Sequence, residues 1–274
     1  MADGVARLGE LAEHPVVATL ARVFADAGRD LAIVGGPVRD ALLGRTTHDF
    51  DFTTDARPDE ILALVKPVSS VQWDVGRAFG TIGAKVQGEQ VEITTYRADS
   101  YDGVTRKPTV EFGDTLEADL TRRDFTVNAM ALRVPARTLV DPTGGVEDLL
   151  AQRLRTPIDP AVSFGDDPLR MLRAARFSSQ LEFTVDPETL DAIAELRGTL
   201  EIVSPERVQA ELVRLLQTDD PVRGIRVLVE TGLIEEFLLE IPALRLEVDE
   251  HHHHKDVYEH SLTVLRQAIA LEKQ

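Results

Sequence analysis

DLAIVGGPVRDALLGRTTHDFDFTT, residues 30–54, is the stretch whose reading decides the fold. Its apolar run, Leu31 to Val34, reads as a buried strand, and Gly35-Gly36 lets the backbone turn sharply with no Cβ between it and a ligand. Pro37 in the first turn and the pattern from Val38 to Leu43 suit a short helix, with Gly44 at its end. His48-Asp49-Phe50-Asp51-Phe52 then alternates polar with aromatic at strand period, so Asp49 and Asp51 leave one face while Phe50 and Phe52 enter the core on the other. Carboxylates two residues apart on one strand face lie about 6–7 Å from each other and repel, which a raised pKa or a bound cation relieves. Hard oxygen ligands of this kind suit Mg²⁺, above all where substrate phosphates complete its octahedron. Two such ions could activate an attacking hydroxyl and stabilise a leaving pyrophosphate. An isolated D-x-D is more often a solvated edge strand, but here a glycine turn with an arginine, Arg39, precedes the pair at the spacing a nucleotide site needs.

At 274 residues, 43% hydrophobic and 28% charged, the chain has room for two or three domains with modest cores. No stretch approaches the ~20 apolar residues of a membrane span, and the N-terminus MADGVARLGE lacks an apolar signal region, so a cytoplasmic location is expected. The absence of cysteine excludes disulfides and cysteine-bound zinc. A formal charge of −17 argues against a nucleic-acid partner on its face. The cations, however, are mostly arginine and crowd into 122–137 and 153–176, so a local basic cleft on an acidic body is expected.

Outward from residues 30–54, residues 1–29 read as helix broken at His14-Pro15 and ended by Gly28. A helix carrying Ile61, Leu62, Leu64 and Val65 follows the acidic pair. Phe79 to Val86 and Val91 to Tyr96 form a hairpin with its turn at Gly88-Glu89. Glu92, Thr94 and Tyr96 share one face of its second strand. Glu92 is therefore the candidate for a third carboxylate, the alternative being a solvated strand acid. The polar segment 97–113 reads as a long loop, functional or a hairpin tip. Thr115 is an N-cap candidate for a helix containing Arg122-Arg123-Asp124. A second hairpin follows over Ala131 to Asp141, and Gly144-Gly145 is a hinge candidate.

Asp167, Arg170, Arg173 and Arg176 recur every three residues from the start of the next helix, beside an inward stripe of Leu169, Leu172 and Ala175. Arginines at i, i+3 and i+6 with no acid between them repel by a few tenths of a kcal/mol per pair, so the stripe needs an anionic partner. Beyond Ser178 the chain reads as helix throughout, with starts at Pro187, Pro205 after Ser204, and Pro221.

GGPVRDALLG, HDFDFTT, RRDFTVNAMA and DDPLRMLRAARF, in this order, resemble the class II tRNA nucleotidyltransferase and bacterial poly(A) polymerase family, the CCA-adding enzymes. The resemblance implies an α+β, polymerase β-like head over 1–143, a helical neck over 144–203, a helical RNA-binding body over 204–248, and over 249–274 the start of a truncated HD-like segment. It implies template-independent addition of C and A to the 3′ acceptor end of tRNA from CTP and ATP. Asp49 and Asp51, with Glu92, would be catalytic, the aspartates holding Mg²⁺. Gly36, Arg39 and Arg123 would meet the nucleotide, with Asp124 orienting Arg123. Asp167 and Arg170 would read the base, and Arg173 and Arg176 would hold the triphosphate or position the helix. This chain has Asp166 where the family most often has Glu.

A poly(A) polymerase and a CC-only or A-only specialist share these motifs. From other classes, a noncatalytic RNA-binding module and a metal-binding module centred on His251 to His254 remain open. The pattern does not set an oligomeric state.

Overall fold

The computed structural model describes residues 2–46, 50–97, 113, 115–244 and 257–272. The expectations for Asp49, the loop over 98–112 and His251 to His254 lie outside the described residues. The chain divides into two compact units, Met1–Leu150 and Ala151–Gln274.

The first unit starts with α1 (Ala2–Glu13) and α2 (Pro15–Asp26). Pro15 opens α2 after the break at His14, and Val16, Val17, Leu20 and Phe24 form its buried stripe. Then come β1 (Leu31–Val34), α3 (Gly36–Leu43), β2 (Phe50–Thr54), α4 (Pro58–Val65), β3 (Ser69–Trp73), β4 (Thr81–Val86), β5 (Glu89–Thr95), α5 (Leu116–Thr121), β6 (Ala131–Val134), β7 (Thr138–Val140) and α6 (Gly145–Leu150). The seven strands form one sheet in the order β3-β4-β5-β2-β1-β6-β7. Only β2 and β5 pair in parallel; the other neighbours are antiparallel.

The two faces of this sheet have different roles. Leu31, Ile33, Phe50, Phe52, Val91 and Ile93 are buried on the face that carries α2 and α4. Each such apolar side chain contributes about 1.5–3 kcal/mol. On the opposite face Ala32, Val34, Tyr96 and Ala131 pack under Leu116 and Leu120 of α5. That helix covers only part of the face. Tyr96, expected beside Glu92 and Thr94, lies in this covered part, and burial pushes its hydroxyl well above its ordinary pKa.

The hairpin turn falls at Gln87-Gly88, one residue earlier than expected. Both residues have positive φ, 52° and 93°, as the twist of a two-residue hairpin demands, and Glu89 already pairs with Val86. β3 escaped the sequence reading because SSVQW is an edge strand whose half-exposed residues show no apolar alternation.

The second unit contains β8 (Arg153–Leu154), α7 (Pro160–Asp166), α8 (Leu169–Leu181), β9 (Thr184–Val185), α9 (Pro187–Leu196), α10 (Pro205–Leu216), α11 (Pro221–Glu230), α12 (Glu240–Ala243) and α13 (Val257–Glu272). Asp159, Asp186, Ser204 and Asp220 each cap a helix whose first residue is proline. α8 packs against both α10 and α11, and the inward stripe Leu169, Leu172 and Ala175 is buried. Gly224 lets α11 approach closely: a Cβ there would lie 2.4 Å from the Ala175 carbonyl oxygen. α13 is tied to α11 by Arg266, which donates two hydrogen bonds to Asp220, and by the pair Arg226–Glu259 at 2.6 Å.

Gly144 and Gly145 lie within the first unit rather than at its edge. Gly145 sits against the Thr126 carbonyl, which a Cβ would meet at 2.2 Å, and both Gly145 and Val146 donate backbone N–H groups to Asp141. The division falls after Leu150 instead of near residue 143. No helix among the described residues is long and apolar enough to cross a membrane.

Candidate active site

Asp51 lies on β2 between Phe50 and Phe52, whose rings stack 6.5 Å apart in the core. The alternation that buries the rings turns Asp51 to the other face, away from α2 and α4. The parallel register pairs Asp51 with Glu92 of β5, so both side chains leave the same face of adjacent strands about 5 Å apart. Glu92 is exposed, which leaves its oxygens accessible. Two hard carboxylates on one open strip fit a divalent cation of the Mg²⁺ type. Among the described residues no three acidic or imidazole groups form a metal cluster, and Asp49 is not among those residues.

The turn before α3 builds the second part of the site. Gly35 has φ +71°, the left-handed region, and a Cβ there would come within 3.4 Å of Arg123 Nη1. Beside Gly36 the guanidinium of Arg39 is nearly buried and fully oriented: Nε and Nη2 donate to the two oxygens of Asp40 at 2.9 and 3.0 Å, and Nη1 donates to Asn128 Oδ1 at 2.6 Å. Asn128 in turn donates from Nδ2 to Asp124 Oδ1 at 3.0 Å. A guanidinium and a helix N-terminus at one turn favour a bound anion. Arg123 adds a second cation there.

Arg122, Arg123 and Asp124 do not lie inside a helix as expected. α5 ends at Thr121, and Arg122 is its C-cap. The reason is local: both arginines fold back onto Asp119, while Asp124 accepts the Phe125 N–H and opens the next turn. Arg123 is therefore oriented by Asp119 and not by Asp124, which serves Asn128 and through it Arg39. Asp119 is wholly buried. Burial works to raise its pKa, but Arg123, Arg122 and the Arg97 N–H outweigh it and hold the carboxyl below its ordinary value.

Asp167, Arg170, Arg173 and Arg176 belong to the second unit. Asp167 sits at the break between α7 and α8, where it accepts the Leu169 N–H at 3.2 Å and the Arg207 guanidinium at 3.3 Å. Arg170 Nη1 donates to the Ser163 hydroxyl and carbonyl at 2.9 and 3.3 Å. Arg176 is buried and paired with Glu211 of α10 at 2.6 Å, with its guanidinium 3.9 Å from the Phe177 ring. That pairing turns Arg176 into the interface of α8 and α10. Arg173 approaches the same carboxylate at 3.7 Å and Arg214 at 3.0 Å. Glu211 of the chain itself thus supplies an anion to Arg173 and Arg176 of the stripe.

The expected basic cleft is reduced in the same way: Arg133 pairs with Asp30 and Glu117, and Arg137 with Glu13. Sequence reasoning missed Asp119 and Asn128 beside the arginines of the first unit, and Arg207 and Glu211 beside the candidate residues of the second. Only Glu211 had a signal, the unanswered repulsion of the stripe.

Residues 31–155 match the poly A polymerase head domain family, and residues 182–244 match a family described as the probable RNA and SrmB-binding site of polymerase A. The chain is 42% identical over 218 residues to the CCA-adding enzyme of Bacillus licheniformis, an alignment covering 79% of this chain and 54% of that one. With the CCA-adding enzyme of Bacillus subtilis it shares 42% identity over 216 residues, 78% of this chain and 53% of the relative. It spans about half the length of these curated relatives. Among solved structures, the Bacillus stearothermophilus CCA-adding enzyme in complex with CTP superposes with TM-score 0.71 at 37% identity, covering 79% of this chain and 52% of that one. The Thermotoga maritima CCA-adding enzyme complexed with tRNA gives 0.68 at 25% identity, covering 96% and 65%.

Proposed function

The chain belongs to the family of CCA-adding enzymes and poly(A) polymerases, and from that premise we propose that it adds C and A to the 3′ end of tRNA in the cytoplasm, taking CTP and ATP and releasing pyrophosphate. The observation that carries this reading is the open strip of Asp51 and Glu92 on a sheet whose adjoining turn holds two oriented guanidinium groups, Arg39 and Arg123.

In the reaction the terminal ribose hydroxyl of the RNA attacks the α-phosphorus of the nucleotide. An O–P bond forms, the bond to pyrophosphate breaks, and the hydroxyl proton passes to solvent. Asp51 with Asp49 would hold Mg²⁺, with Glu92 as the neighbouring carboxylate. When bound, the ion supplies charge neutralisation at the phosphates and acidifies the attacking hydroxyl. Arg39 and the N–H groups at the start of α3, Gly36 among them, would receive the triphosphate, and Arg123 would clamp it through charge-assisted hydrogen bonds. These groups are held by Asp40, Asn128 and Asp119, so orientation is set before the nucleotide arrives.

Base choice would rest on Asp167 and Arg170. A carboxylate accepts from the exocyclic amine of C or A, and a guanidinium donates to the adjacent ring nitrogen. U and G present a carbonyl and an N–H at those positions and would leave groups unpaired, at about 1–3 kcal/mol each. Arg173 would support this helix from its exposed side.

The test is primer extension on tRNA transcripts ending before CCA, after CC and after CCA, with Mg²⁺ and each nucleotide singly and as CTP plus ATP. Extension that stops at CCA, and is lost in Asp51→Ala, is expected. Tails of A with variable length would reassign the chain to poly(A) synthesis, and CC-only or A-only products to a specialist. No extension together with no binding of CTP or ATP by the folded protein would make the head a noncatalytic shell.

A further inference from the structure

We infer that Asp119 is the residue that positions Arg123 for the nucleotide and couples it to the strand of Asp51. This rests on the functional reading of the head just given and adds a residue to it. Asp119 stands one turn before the arginine, on the buried side of α5, with no exposed surface. Its Oδ2 accepts from Arg123 Nη2 at 3.1 Å and lies 3.3 Å from the Thr53 hydroxyl. Its Oδ1 accepts from the Arg97 N–H at 3.2 Å and from Arg122 Nε and Nη2 at 3.3 and 3.4 Å.

Four features make this more than a helix brace. Thr53 follows Asp51 by two residues on β2 and shares its face, so one carboxylate touches both the strand of the proposed metal ligand and the proposed phosphate clamp. Arg123 is about one-quarter exposed while the acid that holds it is completely buried. The guanidinium is thus anchored at one edge and open at another. The open edge is aimed: Arg123 Nη1 is the nearest atom to where a Cβ on Gly35 would stand, at 3.4 Å, so it points over the turn that starts α3. Lastly, Nε of Arg123 is buried and has no hydrogen-bond partner among the described residues, so the pairing with Asp119 through Nη2 sets the direction of the fork there.

A buried carboxylate with this many donors is not replaceable by its amide. Asparagine keeps the shape but carries an N–H₂ where one oxygen must accept, and it loses the charge that makes these hydrogen bonds strong. A positioning role predicts an effect on nucleotide binding that passes through Arg123 and vanishes without it. A purely structural role predicts lower stability and independent effects.

The experiment is equilibrium titration of the protein with CTP in the presence of Mg²⁺, using wild type, Asp119→Asn, Arg123→Ala and the double variant, with urea unfolding of each. Asp119→Asn is expected to raise the Kd about thirtyfold, the order of one hydrogen bond to a charged group. The double variant is expected to bind no more weakly than Arg123→Ala alone. An unchanged Kd in Asp119→Asn, or losses in the two single variants that multiply in the double, would overturn the inference while leaving the functional reading intact. If wild type itself binds neither CTP nor ATP, that reading falls and the inference with it. Thr53→Val keeps the test available if Asp119→Asn does not fold. It removes, at nearly constant volume, the hydroxyl that lies 3.3 Å from the same carboxylate oxygen and also donates to the Thr94 carbonyl at 3.1 Å. About a threefold rise in Kd is expected, absent on the Arg123→Ala background. No rise on the wild-type background would count against the coupling.

Discussion

Replacing Glu211 with alanine removes a carboxylate shared by Arg173, Arg176 and Arg214. The cost can be worked from their surroundings. Arg176 has a side chain only 9% exposed, so it cannot turn to water; it keeps Gln180 as an acceptor at 2.6 Å and the face of Phe177. Breaking a buried pair by deleting one partner costs about 3–5 kcal/mol, and the contacts that Arg176 keeps, Gln180 and Phe177 among them, place the loss near the lower end. Arg214 is 62% exposed and its pairing adds at most about 1 kcal/mol. The sum is about 3–4 kcal/mol. With a urea m-value of about 1–3 kcal/mol/M, the unfolding midpoint of the second unit should fall by roughly 2 M. Glu211→Gln keeps one acceptor and should lose about half as much. Replacing the pair together, Arg176→Met with Glu211→Leu, should recover most of the stability, because no buried charge is then left alone. Urea unfolding followed by circular dichroism reads all three. A loss below about 1 kcal/mol in Glu211→Ala, or a double variant no better than the single, would refute the reasoning.

Asn128→Ala should weaken CTP binding by about tenfold without unfolding the head, since it removes one of the groups that orient Arg39 and is measured by the same titration. The acid limb of stability should change in Asp119→Asn. The wild-type carboxyl is held below its ordinary value, so its contribution is complete above the unfolded pKa of about 3.9 and is lost as pH falls through the lower folded value. Urea midpoints measured from pH 5 downward should therefore fall less steeply in the variant. Gly83→Ala, on the strand beside Glu92, puts a Cβ 1.9 Å from the ring of Trp73, so the ring must swing outward. Trp73 is the chain's single tryptophan, and its emission should shift to longer wavelength at a cost of about 1–3 kcal/mol; unchanged emission would count against the packing described.

Residues 30–54 were legible because their signals are local. The apolar run, the glycine pair, Pro37 and the alternation around Asp51 each act within a few residues, and β1, α3 and β2 appear where those signals put them. The caps at Thr115 and Ser204 were equally legible, as was the buried stripe of α8. The end of α5 was not, because Arg122 and Arg123 continue a helical pattern until their attraction to Asp119 and the turn at Asp124 are counted. β3 lacked a pattern altogether, since an edge strand half in water imposes no alternation on its residues.

The sequence by itself determined the α+β class, the carboxylate strand, the glycine turn and the chemistry these residue types can support. Tertiary structure decided which acceptor serves which arginine: the Asp119 carboxylate for Arg123, the Asn128 amide for Arg39, the Glu211 carboxylate for Arg176, and the register that sets Glu92 beside Asp51. Periodicity along a chain records which side of an element meets apolar surroundings. It carries nothing about partners 35 residues away, as in Arg176 and Glu211, or 89 away, as in Arg39 and Asn128. Charge pairing depends on distance through space and on burial, and both exist only once the elements have packed.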